Sequence, residues 1–215
     1  MNPGTLWTLF LALFAATAMQ ADIYTVTVNT SSISGTSGSL DFNLNPGPLV
    51  TQAASLQILN FASDGTLAGA PILTGDVSGG LPGTLTFDNG TGFNDYFEGF
   101  TFGNTLAFNV RLYGPALSSP DGTSTSGSTF AFSMFSDTAG TIPVLTTDTT
   151  DGFAFIANVN LDGTTSLTNF SPDTQVSPVV ATTPEPSDIG LSVILAALVV
   201  VLLVRFKYRA QTLGN

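Results

Sequence analysis

The stretch Asp88-Asn89-Gly90-Thr91-Gly92-Phe93-Asn94-Asp95-Tyr96-Phe97-Glu98 packs oxygen donors and aromatic rings into one short segment. Asp88, Asn94, Asp95 and Glu98 carry the ligand types that calcium takes. Their spacing is not that of an EF-hand loop, whose first acidic position lies eleven residues before its closing Glu; Asp88 lies ten before Glu98. Phe93, Tyr96 and Phe97 offer a second chemistry, stacking on a sugar ring beside those polar groups. Against a carbohydrate site, the one tryptophan, Trp7, falls outside the body of the chain. A third reading needs no ligand: a loop enters a strand, and Phe97 and its neighbours turn inward. Asp148 and Asp151 form another acidic pair, read as a turn before the strand that opens at Phe153.

Absent residues narrow the chemistry further. The chain has no histidine and no cysteine, so Ser-His-Asp triads, His-ligated zinc, thiol catalysis and disulfides are excluded. Between Asp22 and Thr183 there is no lysine, which removes Schiff-base chemistry and Ser-Lys dyads. A carboxylate pair remains, and Glu98, the sole glutamate of that stretch, would need an aspartate about 5–9.5 Å away across a cleft. The Asp-Gly-Thr triplets at Asp64, Asp121 and Asp162 invert the Asp-Thr-Gly order of aspartic proteases and read as hairpin turns. The expectation is a protein that is not an enzyme. The same stretch sets 13 acidic residues against one base, Arg111, a surface that repels nucleic acid and suits an extracellular protein or one that holds cations.

The elements that position these residues read as strands. Leu106, Phe108, Val110 and Leu112 alternate with Ala107, Asn109, Arg111 and Tyr113. Phe153, Phe155, Ala157, Val159 and Leu161 make a second stripe, Phe130, Phe132 and Met134 a third, and Leu40, Phe42 and Leu44 a fourth opposite Asp41 and Asn43. Further strands are expected at Ile23–Val28, Ala54–Phe61, Thr84–Phe87, Phe97–Phe102 and Thr165–Phe170. Short strands separated by Gly, Pro, Asn and Asp turns predict an all-β antiparallel sandwich over 22–170, jelly-roll or immunoglobulin-like, with the Phe stripes meeting in its core. At about 160 residues the body is long enough to be stable through one core without cysteines. Arg111, on a polar face, is expected to pair with a carboxylate. Ser118–Ser128 reads as a long loop, and 171–183 as a Pro/Ser/Thr linker.

Both ends read as targeting segments. Leu6–Ala16 has the apolar run of a secretory signal peptide spanning 1–21, with small residues that fit cleavage after Ala18 or Ala21, although residues 1–10 carry no Lys or Arg. At the other end, Pro184-Glu185-Pro186 leads into the uncharged run Ile189–Val204, followed by Arg205, Lys207 and Arg209 and a tail at 210–215. The run is 16 residues, roughly 24 Å as a helix, short of a ~30 Å hydrocarbon core until Phe206 and snorkelling basic side chains are added. Cations placed after the helix put the C-terminus in the cytoplasm and the body outside.

That order of motif, apolar helix and basic stop over 184–209 resembles the PEP-CTERM sorting signal of exported bacterial proteins. The segments Tyr24-Thr25-Val26-Thr27-Val28-Asn29 and Gly38-Ser39-Leu40-Asp41-Phe42-Asn43-Leu44-Asn45-Pro46-Gly47 resemble a group of PEP-CTERM proteins of unassigned activity. The resemblance implies recognition by a membrane-embedded exosortase and an association with exopolysaccharide in the cell envelope. With it comes the expectation of a structural or adhesive surface protein, the alternative being a calcium- or carbohydrate-binding module.

Overall fold

The computed structural model describes residues 21–179, and these form an all-β unit. In chain order the strands are β1 (Ala21–Asn29), β2 (Ser37–Pro46), β3 (Ser55–Ser63), β4 (Thr66–Leu67), β5 (Ile72–Thr74), β6 (Val77–Gly79), β7 (Leu85–Asp88), β8 (Asp95–Thr101), β9 (Thr105–Tyr113), β10 (Ser128–Phe135), β11 (Phe153–Val159), β12 (Thr165–Asn169) and β13 (Thr174–Pro178). One helical turn, α1 (Pro115–Ser118), follows β9. The first sheet has the order β13-β1-β9-β3-β7-β6 and the second β12-β11-β10-β2-β8-β4, with β5 also on β8; every pairing is antiparallel.

The two sheets face each other across a core of alternate residues. Leu40, Phe42 and Leu44 of β2, Phe130, Phe132 and Met134 of β10, and Leu106, Phe108, Val110 and Leu112 of β9 are all buried. Phe42 and Phe108, one from each sheet, meet edge to face with ring centroids 5.2 Å apart, and Phe132 joins both. Edge-to-face packing places the positive rim of one ring on the negative face of the next, so these aromatics fill the core and also orient one another.

Four features differ from the sequence-based expectation. A bulge between Phe132 and Ser133 sets Phe153 opposite Ser133 and buries Ala154, so the β11 stripe keeps Phe155, Ala157 and Val159 only. Leu161 lies beyond the strand and is exposed. Arg111 donates to Gln57 Oε1 at 3.1 Å, its direct partner across β9 and β3, and lies 4.8 Å from the Tyr113 ring centroid, where a carboxylate partner was expected.

The fourth difference is a boundary. Residues 171–183 read as linker, yet Thr174–Pro178 is β13, an edge strand paired with β1 from Tyr24↔Pro178 to Val28↔Thr174. An edge position tolerates the missing donor of Pro178, and Val176 packs against the core. The signal-peptide segment up to residue 20 and everything from 180 onward, including Pro184-Glu185-Pro186, the apolar run and the terminal cations, lie outside the described residues.

Candidate functional site

The segment 88–98 is the crossing from one sheet to the other. Asp88 closes β7 in the first sheet, where it bonds the Ser55 hydroxyl directly across on β3; Asp95 opens β8 in the second. The intervening turn is pinned at both ends. Asn89 accepts from Ala54 N at 3.0 Å and donates to Gln52 O at 2.9 Å and Ser128 Oγ at 2.8 Å. Asn94, fully buried, donates to Leu44 O and Thr91 O, each at 2.9 Å, and accepts from Asp76 N at 2.8 Å and from the Thr91 hydroxyl. Every polar atom of the Asn94 amide is used within the protein, which makes it a hub of the turn.

Along β8 the side chains alternate without a break in register. Tyr96, Glu98 and Phe100 face the core, and Asp95 and Phe97 face the outer side of the second sheet. Asp95 and Glu98 therefore point away from each other through the sheet, and Asp88 belongs to the other sheet. Asp88, Asn94, Asp95 and Glu98 do not converge on one cation, and among the described residues no three carboxylates do.

The aromatic set is likewise dispersed: Phe93 is exposed, Tyr96 is fully buried in the core, and Phe97 lies half-buried under Gly140 on the outer face. No stacking platform forms from them. The inward turn expected of the segment holds for Tyr96 and not for Phe97.

Glu98 is buried, and both its oxygens are occupied. Oε1 accepts from Gly69 N at 2.8 Å, and Oε2 accepts from the Tyr96 hydroxyl, which itself accepts from Leu81 N at 3.2 Å. Burial, and then the bond to Glu98, push the Tyr96 hydroxyl well above its ordinary pKa. This trio ties the segments around Gly69 and Leu81 to the core side of β8. A glycosidase pair between Glu98 and Asp95 does not form, because the sheet separates them.

A different pair of carboxyls does meet. Asp41, on the outer face of β2, lies diagonally across from Asp95, with Asn43 directly opposite Asp95 and Phe97 opposite Asp41. The two carboxyls are within hydrogen-bonding reach. Burial, then the bond to Asp41 and its charge, raise the pKa of Asp95 to about 8; burial also raises that of Asp41. Two carboxylates this close cannot both ionise cheaply, and the proton resides on Asp95, the group that the shared bond pushes up. Asn43 donates to Asp41 Oδ1 at 3.4 Å, and Asn45 to Asn43 Oδ1 at 3.3 Å, a polar row along the outer face of β2. The alternation around Leu40 and Phe42 placed Asp41 and Asn43 outward, but only the β2–β8 register brings them to Asp95.

Several of the other aspartates accept from backbone N–H groups. Asp64 accepts from Asn104 N at 2.8 Å and Thr105 N at 2.9 Å, and these bonds lower its pKa to about 2. Asp121 accepts from Thr123 N and Ser124 N, and Asp162 from Thr164 N, as their Asp-Gly-Thr turns require. Asp148 accepts from the backbone of Thr150, Asp151 and Phe153, the turn expected before β11. Part of the acidic composition is thus turn chemistry. Compared with family models, curated proteins and solved structures, the chain matches none.

Proposed function

We propose that this chain is an exported bacterial envelope protein whose C-terminal tail is a PEP-CTERM sorting signal handled by an exosortase. Its β-sandwich body then serves a structural or adhesive, non-catalytic role in an exopolysaccharide-containing matrix. The observation that carries the reading is the order of the tail: Pro184-Glu185-Pro186, then Ile189–Val204 without a charge, then Arg205, Lys207 and Arg209. Moving three cations across a bilayer is costly, so the tail stops transfer and leaves the body outside.

The body accords with that role. Asp121, Asp137, Asp148 and Asp162 are spent on turns, and Glu98 is locked to Tyr96 and Gly69. Signal cleavage after Ala18 leaves β1 whole, whereas cleavage after Ala21 removes the Ala21↔Tyr113 pair. The long strands cross repeatedly between sheets, β1 to β2 to β3 and β7 to β8 to β9 to β10, which favours the jelly-roll reading over the immunoglobulin-like one.

The test replaces Pro184, Glu185 and Pro186 with alanine in the producing strain. The native chain is trimmed to a shorter product when exosortase is present, and the variant keeps its tail. Products of equal size from both would overturn the sorting assignment.

A further inference from the structure

Where β2 ends, β10 begins and β11 ends, the surface folds into an open groove of about 300 Å³. Thr129 and Asn158, directly opposite each other on β10 and β11, line it together with Ser126, Asn160 and Leu161. The volume matches the lower end of ligand pockets, which run from about 300 to 1,000 Å³. Gly47 keeps one wall open, since a Cβ there would fall 1.7 Å from Ser126 Oγ.

The polar groups of the groove are only partly used within the protein. Asn158 Oδ1 accepts from the Thr129 hydroxyl at 2.7 Å, which leaves the Asn158 amide hydrogens without a partner among the described residues. Asn160 donates to Thr164 Oγ1 at 3.0 Å and keeps its own Oδ1 unpartnered in the same sense. Free donors and acceptors, none of them charged, thus lie at one place.

Apolar surface adjoins them. Leu161 is half-exposed in the groove, and Leu49 and Val50 are exposed at its rim, where Val50 O accepts from Ser126 N at 3.0 Å. No ionisable residue lines the groove, although the body sets 13 acids against one base. The charges nearest along the chain to Ser126 and Leu161 are Asp121 and Asp162, both acids, so an anionic ligand is repelled. A peptide adding as a strand would need a free edge, and β2, β10 and β11 are each paired on both sides. A sugar ring suits the place better, because its hydroxyls both donate and accept while its C–H faces are apolar.

We propose that this groove binds uncharged hexose units of a polysaccharide. Asn158 donates to sugar hydroxyls, Asn160 Oδ1 accepts from them, and Leu161 covers a C–H face of the ring. This gives the adhesive role of the body a site, and it rests on that reading for the source of the glycan, an exopolysaccharide. No aromatic ring lines the groove, so each unit is held weakly.

The test is saturation-transfer NMR on the full chain in a sugar-free detergent, a method suited to weak binding. The probes are neutral oligosaccharides of glucose, of mannose and of galactose, with oligogalacturonate as the charged comparison. Saturation is expected to pass to at least one neutral oligosaccharide. Asn158→Ala and, separately, Leu161→Ala should weaken that binding by about tenfold, while Ile72→Ala, on β5 across the second sheet, keeps it. The three positions are at the surface, and unchanged melting of each variant checks that it is folded. Silence with all three neutral oligosaccharides would overturn the site. So would binding that survives both groove variants, or a preference for oligogalacturonate. A chain that exosortase trims but that is silent here would lose the groove assignment and keep the sorting one.

Discussion

The Tyr96 hydroxyl donates to Glu98 Oε2 on the core-facing side of β8, two residues along the same strand. Because Leu81 N donates to the same hydroxyl and Gly69 N to the other carboxylate oxygen, the pair anchors two loop segments at once. Tyr96→Phe leaves Glu98 Oε2 and Leu81 N unsatisfied, and should cost about 2 kcal/mol by urea denaturation. Glu98→Ala should cost a similar amount. In the double mutant the two losses should fall short of their sum by about 1 kcal/mol or more, and strict additivity would mean the bond contributes nothing.

Asn94 is the hub of the sheet-to-sheet crossing. Asn94→Ala removes the acceptor of Asp76 N and the donor to Leu44 O at a position with no access to water. The expected loss is about 3 kcal/mol in chemical denaturation, with Asn94→Asp also destabilising because a carboxylate cannot donate to Leu44 O. A loss under half a kcal/mol would show that the crossing is held elsewhere.

Asp95 and Asp64 give stability opposite dependences on pH. Asp95 has its folded pKa raised from 3.8 to about 8, so the folded state binds its proton more tightly than the unfolded chain does. Its contribution is complete below about pH 4 and is lost as pH rises toward 8. Asp64 has its folded pKa lowered from 3.8 to about 2; its contribution is present above 3.8 and is lost as pH falls toward 2. Melting temperature should therefore decline from about pH 4 to 8, and Asp95→Asn should flatten that limb while leaving the acid limb intact. A native limb as flat as the mutant's would place the two carboxyls further apart.

Ending the chain at Phe170 should harm the body, and ending it at Val179 should not. The shorter form loses the five β1–β13 pairs, the packing of Val176, and the bond from Val179 N to Ile23 O at 2.7 Å. It also bares β1 as an unpaired edge, a template for pairing with another chain. Sedimentation should find the 179 form monomeric, and the 170 form self-associated and lower-melting. Identical behaviour would restore 171–179 to the linker.

What the sequence determined by itself is what local periodicity and local turn chemistry can specify. The stripes of β2, β9 and β10 follow from strict alternation, because successive side chains of a strand point to opposite faces. The turns at Asp121, Asp148 and Asp162 follow from side chains that reach backbone donors two to five residues away, whereas Asp64 reaches across to Asn104 and Thr105 at the start of β9, a contact that only the tertiary structure makes. The order of charges and apolar residues in the tail is likewise a property of the linear chain.

The candidate site depended on contacts between residues far apart in sequence. Asp95 and Glu98 are neighbours in the chain and strangers in space, since an odd separation along β8 sends them to opposite faces. Asp41 and Asp95 meet only because the β2–β8 register sets Asn43 opposite Asp95. The bulge at Phe132/Ser133, which takes Phe153 off the inner stripe, and the capture of Thr174–Pro178 by the edge of β1 are equally invisible to a local pattern. Register is chosen by the sum of burial over whole strands, so no short segment contains it, and tertiary structure alone decided which carboxylates share an environment.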